Sequence, residues 1–330
     1  MSIVGVIFLL ALGYLCSSNR KAISWRTVGG AFLIQVILAV FVLATPWGVN
    51  ALQWLTMRVS DLIGAGEEGI SFLFGQLSDL EGGVGWVFAF KVLPVIIFFS
   101  SLIAVLYHLR IMQLVILLVG GGLRKVLGTS QAESFSAAAN IFVGQTEAPL
   151  VIRPYLPKMT SSELFAVMVG GLASIAGSVL AGYAAMGARM DHLIAACFMA
   201  APGGLLFAKL IMPETEEVND SKIDLAEGED QPVNVIDAAA LGASSGLKLA
   251  LNVGAMLLAF VGLIALVNLF FGEVGGWFGV PQFSLEKLLG WIFAPVAYLI
   301  GVHGSEIQQA GSLIGQKVVV NEFIAFGNFE

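Results

Sequence analysis

The chain has 330 residues, 58% of them hydrophobic and only 12% charged, with a mean hydropathy of +0.90 and a formal net charge of −7. A soluble domain carries roughly 45–50% apolar and about 25% charged residues, so a soluble globular fold is excluded for the bulk of the molecule. The negative charge is local: residues 213–237 hold nine acidic residues and one lysine, against 14 acidic and 15 basic residues elsewhere.

A bilayer-crossing helix needs about 20 mostly apolar residues, and residues 3–16, 28–44, 86–107, 164–186, 193–212 and 247–271 are expected to supply them. The first stretch lacks a basic leader and is followed by Ser17-Ser18-Asn19-Arg20-Lys21 instead of a small-residue cleavage site, so it reads as a spanning helix. Lys and Arg in short loops favour the cytoplasm. Arg20, Lys21 and Arg26 therefore place the first loop inside and the N-terminus outside. Residues 47–84 carry Asp61, Glu67, Glu68, Asp79 and Glu81 against Arg58, which suits the outer face. Too interrupted to span, they are expected to form an interfacial amphipathic helix with Leu52, Leu55, Val59 and Leu62 on one face, completing a peripheral scaffold over residues 1–84. Pro94 is expected to kink the next span, after which His108, Arg110, Arg124 and Lys125 return the chain inside. Cys16 and Cys197 both lie in apolar segments and read as buried thiols.

Residues 131–158 are the most informative. Two apolar limbs, each about half a membrane long, flank Gly144-Gln145-Thr146-Glu147. Irregular polar backbone at membrane depth survives only where it lines a protein cavity. Arg153 and Lys158 tether the return limb to the side of Arg124 and Lys125, giving a re-entrant helical hairpin; a cytoplasmic amphipathic loop is the competing reading. The following helix, 162–187, is rich in small residues, which either permit close helix packing or mark a local unwinding near 174–177. Residues 85–212 are thus read as a first repeat and 213–237 as an acidic cytoplasmic connector, with no nucleic-acid partner implied. Residues 238–330 read as a second, incomplete repeat: a span at 247–271 and a hairpin over about 300–330 centred on Asn321-Glu322. By loop charge the two repeats run in opposite senses, the pattern of inverted repeats whose binding site lies where the broken elements meet. The fold expected is an all-α polytopic membrane bundle with two re-entrant hairpins.

Charged residues at membrane depth are costly and usually functional, and Glu147 and Glu322 both sit at chain breaks. Carboxylates accept hydrogen bonds from hydroxyls and ring N–H groups; Gln145 and Thr146 add an amide and a hydroxyl, enough to read a heterocycle edge and a sugar diol. A structural ion pair, such as Glu322 with Lys317, is the alternative for each glutamate. Asn140, one turn before the first break, and Ser174 offer neutral oxygens of the kind that suit sodium. There is no phosphate-binding loop, dinucleotide fingerprint or nucleophile elbow, so an enzyme is not expected.

The segments F-V-G-Q-T-E-A-P-L-V-I-R-P-Y-L at 142–156, L-A-S-I-A-G-S-V-L-A-G-Y at 172–183, V-L-P-V-I-I-F-F-S-S-L at 92–102 and V-N-E-F-I-A-F at 320–326 resemble the concentrative nucleoside transporters. The likeness runs through essentially the whole chain. It implies a sodium/nucleoside symporter of the bacterial inner membrane, a homotrimer with an elevator-like moving domain. By the same resemblance Gly144, Gln145, Thr146, Glu147 and Val179 contact the nucleobase, and Glu322 the ribose. Asn140, Ser174 and the carbonyls of Val143 and Ile175 would hold sodium. The family continues past the second hairpin, so a chain ending at Glu330 is expected to stop before the last helices. Proton coupling in the same fold, and an ion channel built from bent half-helices, remain the alternatives at this stage.

Overall fold

The computed structural model describes residues 2–78, 87–145, 148–218, 232–277, 279 and 282–328, and among these it is all helix and turn, with no strand. In chain order the helices are α1 (Ser2–Leu15), α2 (Trp25–Ala44), α3 (Pro46–Phe74), α4 (Phe88–Lys91), α5 (Leu93–His108), α6 (Ile111–Leu127), α7 (Gln131–Ala139), α8 (Ala148–Val151), α9 (Ser161–Ala173), α10 (Gly177–Ala185), α11 (Met190–Ile211), α12 (Val235–Trp277), α13 (Leu285–Ile300), α14 (Ile307–Val319) and α15 (Glu322–Gly327). Local chemistry sets many of the ends. Ser24, Thr45 and Ser284 cap α2, α3 and α13 through side-chain oxygens, satisfying amides that a helix start leaves unpaired. Gly128 and Gly301 close α6 and α13 in the left-handed conformation that glycine adopts without penalty.

Four of these stretches are long and apolar enough to cross a membrane: Trp25–Ala44, Phe88–His108, Met190–Ile211 and Val235–Trp277. The second is interrupted at Val92, just ahead of Pro94, where the sequence placed a kink. Several elements depart from expectation. The helix expected within 47–84 is present as the 29-residue α3, but the face it presents differs. Its inward stripe runs Leu52, Leu55, Val59 and then Ile63, Gly66 and Ile70, while Leu62 faces out at 41% exposure. A 3.6-residue period drifts off a stripe laid by threes and fours, and Ile63 takes the place assigned to Leu62. A 17-residue helix, α6, occupies what loop charge marked only as an inside turn. Helix α12 extends over 43 residues, well beyond 247–271, and α13 was not anticipated. Cys197 is buried as expected, but Cys16 is exposed.

The chain divides into two compact units: residues 13–184 with 189–250, and residues 1–12, 185–188 and 251–330. In the larger unit α11 packs against α2, α3, α7 and α9, and α6 packs along α7. Every residue of α7 from Ala132 to Ala139 is buried. Ile116, Phe135, Ala139, Val143, Ala148 and Ile152 share one apolar cluster, so the chain doubles back on itself between α7 and α8. In the smaller unit α13 and α14 pack together through Gly290, Gly311 and Gly315, and the Asn328 side-chain amide donates to Gln316 Oε1 at 2.6 Å, closing α14 on α15.

Gly120 on α6 makes the α6–α7 approach possible: a Cβ there would lie 2.6 Å from Phe135 Cδ1 and 3.0 Å from the Ser134 carbonyl oxygen, whereas one on Gly122 would meet nothing within 4 Å. Gly120→Ala should lower stability by roughly 1–3 kcal/mol, the usual cost of overpacking, and Gly122→Ala should not. Thermal unfolding of the detergent-solubilised protein checks the pair.

Candidate functional site

The site lies in the larger unit, where the turn after α7 meets the break between α9 and α10. Helix α7 ends at Asn140. Residues 140–145 then make an irregular turn, closed where the Ala148 amide donates to the Gly144 carbonyl at 3.0 Å. Opposite, α9 ends at Ala173, Ser174 is extended at φ −97°, ψ 155°, and helix resumes at Gly177. The unwinding that the small-residue run left open is therefore present.

Three glycines fit these elements together. A Cβ on Gly170 would meet Asn140 Nδ2 at 3.2 Å, one on Gly171 would meet Gln145 Cβ at 2.8 Å, and one on Gly177 would meet the Phe142 carbonyl oxygen at 2.2 Å. The turn thus runs along the broken helix from 170 to 177, with Ser174 and Ile175 bracketed between contacts. Phe142 also packs edge-on against Phe198 of α11 at 6.1 Å. These glycines and Phe142 are the part that the sequence reading missed as site-forming; the small-residue run was the signal for them.

The electrostatics are unusual for a buried region. Asn140 is 1% exposed, yet neither its Oδ1 nor its Nδ2 has a hydrogen-bond partner, and the same holds for Ser136 Oγ one turn earlier and for Ser174 Oγ. Leaving buried polar atoms unpaired costs free energy, which a water molecule, an ion or a ligand would recover. Two helix C-termini, those of α7 and α9, end here, and the negative ends of their dipoles favour a cation. Among the described residues no group of three or more His, Cys, Asp or Glu side chains gathers to hold a metal. Neutral oxygens at half-helix C-termini fit an alkali cation such as sodium.

Other expected site residues fall as follows. Val143 is fully buried in the turn, Val179 is buried on α10, and Gln145 is exposed. The Ile175 carbonyl accepts a weak contact from Cys197 Sγ at 3.6 Å. Thr146 and Glu147 lie outside the described residues. Glu322 belongs to the smaller unit, half-buried at the first position of α15, whose start is capped by Asn321 Oδ1 accepting from the Ile324 amide at 3.0 Å.

Family models match along the chain: Na+ dependent nucleoside transporter N-terminus at residues 4–77, nucleoside recognition at 89–190, and Na+ dependent nucleoside transporter C-terminus at 192–330. An uncharacterized transporter of Haemophilus influenzae is 58% identical over 99% of this chain and 79% of its own length. The nucleoside permease NupC of Helicobacter pylori is 52% identical over 98% of this chain and 78% of its own. Sodium/nucleoside cotransporter 1 of Mus musculus is 40% identical over 99% of this chain and 50% of its own. Among solved structures, CNTnw in an inward-facing substrate-bound state superposes with a TM-score of 0.94 at 58% identity, over 99% of this chain and 78% of that one.

If the glycine fit holds the turn in place, Gly177→Ala should raise amide exchange across 141–145 by about tenfold, in line with an overpacking cost of roughly 1–3 kcal/mol. Gly262→Ala, where an added Cβ meets nothing within 4 Å, should leave that exchange unchanged. Mass-spectrometric hydrogen exchange reads both.

Proposed function

We propose, from the premise that the chain belongs to the concentrative nucleoside transporter family, that it imports nucleosides by coupling them to the sodium gradient. The protein is a multi-pass membrane transporter and not an enzyme. The observation that carries the sodium reading is the set of unpartnered buried atoms on Asn140 and Ser174 where two helices end. A sodium ion held by Asn140, Ser174 and the carbonyls of Val143 and Ile175 would brace the 140–145 turn against the broken helix. The nucleobase would then meet Gly144, Gln145, Thr146, Glu147 and Val179, and the ribose would meet Glu322. Sodium binding would form the base half of the site, which is how the ion gradient would do work on the substrate.

In this reading residues 131–158 are a re-entrant hairpin, and residues 85–212 and 238–330 are inverted repeats. The N-terminus lies outside a bacterial plasma membrane, and the protein works as a homotrimer by an elevator-like movement. Supporting the topology is the loop-charge pattern of Arg20, Lys21, Arg26, Arg124 and Lys125 against Asp61, Glu67 and Glu68.

A ligand that binds only the folded state stabilises it by about 2.7 kcal/mol at a hundred times its dissociation constant. Sodium, and not choline, should therefore raise the unfolding temperature in the absence of nucleoside, and Asn140→Ala should remove most of that rise. Uptake that is unchanged by sodium at fixed pH, but rises when a proton gradient is imposed without sodium, would overturn sodium coupling and favour proton coupling instead.

For the ribose, a charge-assisted hydrogen bond is worth about 1.5–3 kcal/mol. Glu322→Gln should weaken ribonucleoside binding by at least about tenfold and weaken binding of dideoxynucleosides, which lack the diol, much less. Calorimetric titration of the two ligand classes measures the difference, and an equal loss for both would remove Glu322 from ribose recognition.

A further inference from the structure

We infer that Lys209 is a positioning residue that sets the register of α7 against α9 and so holds the turn that carries Asn140 against the helix break that carries Ser174; the inference rests on the sodium reading above. Lys209 lies in the last turn of α11 and is 5% exposed. Its ammonium has three N–H donors and meets three acceptors. It forms an ion pair with Glu133 on α7, donates to Ser162 Oγ on α9 at 2.8 Å, and reaches Glu214 Oε2 at 3.3 Å.

Each acceptor is itself locked to a helix start. The second oxygen of Glu133 accepts from the Ser130 amide at 3.0 Å, completing a capping box at the base of α7. Thr160 and Glu163 form the same box at the base of α9, and the Thr160 hydroxyl donates to Glu214 Oε2 at 2.9 Å. Burial works against the charge on Glu214, but the Thr160 hydroxyl, the Glu216 amide and the Lys209 ammonium outweigh it and hold its carboxyl below the usual range. One cation therefore ties together the N-terminal ends of the two helices whose C-terminal ends carry the orphaned oxygens.

Distance rules out direct contact with the ion. At about 1.5 Å rise per residue, Glu133 is roughly 10 Å from Asn140 and Ser162 roughly 18 Å from Ser174 along their helices. The need for a pin follows from the composition of α7. Its side chains beyond Glu133 are Ser134, Phe135, Ser136 and three alanines. Apolar packing is non-directional, and such small side chains give few ridges to resist sliding. A buried polar contact has one satisfactory register, the best-attested use of such groups.

The double variant Lys209→Met with Glu133→Gln removes the pin together with the charge on Glu133, while Glu214 keeps the Thr160 hydroxyl and the Glu216 amide. It should raise the sodium concentration for half-maximal uptake by about tenfold, leave nucleoside affinity at saturating sodium little changed, and raise amide exchange over 140–145 in sodium-free buffer. Lys209→Arg, which keeps the cation, should recover most of the sodium affinity. Wild-type sodium dependence and wild-type exchange in a folded double variant would overturn the inference. If the double variant does not fold, Ser162→Ala, which removes one neutral acceptor, should show the same changes at smaller size, and wild-type values there would equally overturn it. Should wild-type uptake prove independent of sodium, the coupling reading fails, and the exchange measurement alone decides whether Lys209 sets the register.

Discussion

The architecture depends on one constraint: a backbone that leaves helical geometry inside an apolar protein must have its polar groups met by something. This chain breaks helix twice in one place, at 140–145 and at 174–176, and nests the two breaks together. Glycines at 170, 171 and 177 bring the chains closer than side chains would allow. The nesting satisfies packing but leaves the side-chain oxygens of Asn140 and Ser174, and the Ser136 hydroxyl, without partners. In the proposed function, this unfinished set of hydrogen bonds is what a bound ion would complete.

The same two helices carry opposite electrostatics at their ends. At their starts, Glu133 and Glu163 complete capping boxes, and Lys209 bridges from α11. Full charges there are matched by cation, hydroxyl and amide. At their far ends the described residues place only neutral oxygens. This division follows from the helix dipole, which welcomes anions at the N-terminus and a cation at the C-terminus. In the proposed sodium site, neutral ligands would also let the ion leave, since a carboxylate in the same buried place would need a permanent counterion.

Much of this was legible in the sequence. Apolar runs marked the spanning segments, and the short limbs around Gly144-Gln145 marked a turn within apolar surroundings. The run of small residues after Ser162 pointed to an unwinding near Ser174, where the helix does stop. Other elements were hidden because their signal is tertiary. Helix α6 packs along α7 and buries Met112, Ile116, Gly120, Leu123 and Leu127, but its 17 residues, with Arg124 and Lys125 at one end, read as a charged turn when its partner is unknown. Leu62 looked inward because its stripe was extrapolated from Leu52, Leu55 and Val59; the neighbouring helix α5, with Phe98 against Gly66, selects Ile63 instead.

The sequence by itself determined the class of molecule and the family to which the chain belongs, because hydropathy and the 142–156 motif are local properties that need no partner to be read. It also marked Asn140 and Ser174 as neutral-oxygen candidates. Only the tertiary structure decided that these two residues stand on nested breaks with their oxygens unsatisfied, and that Lys209 meets Glu133 across 76 positions of chain. Whether a polar atom has a partner depends on what packs against it from elsewhere in the fold, and no spacing within a single helix records that.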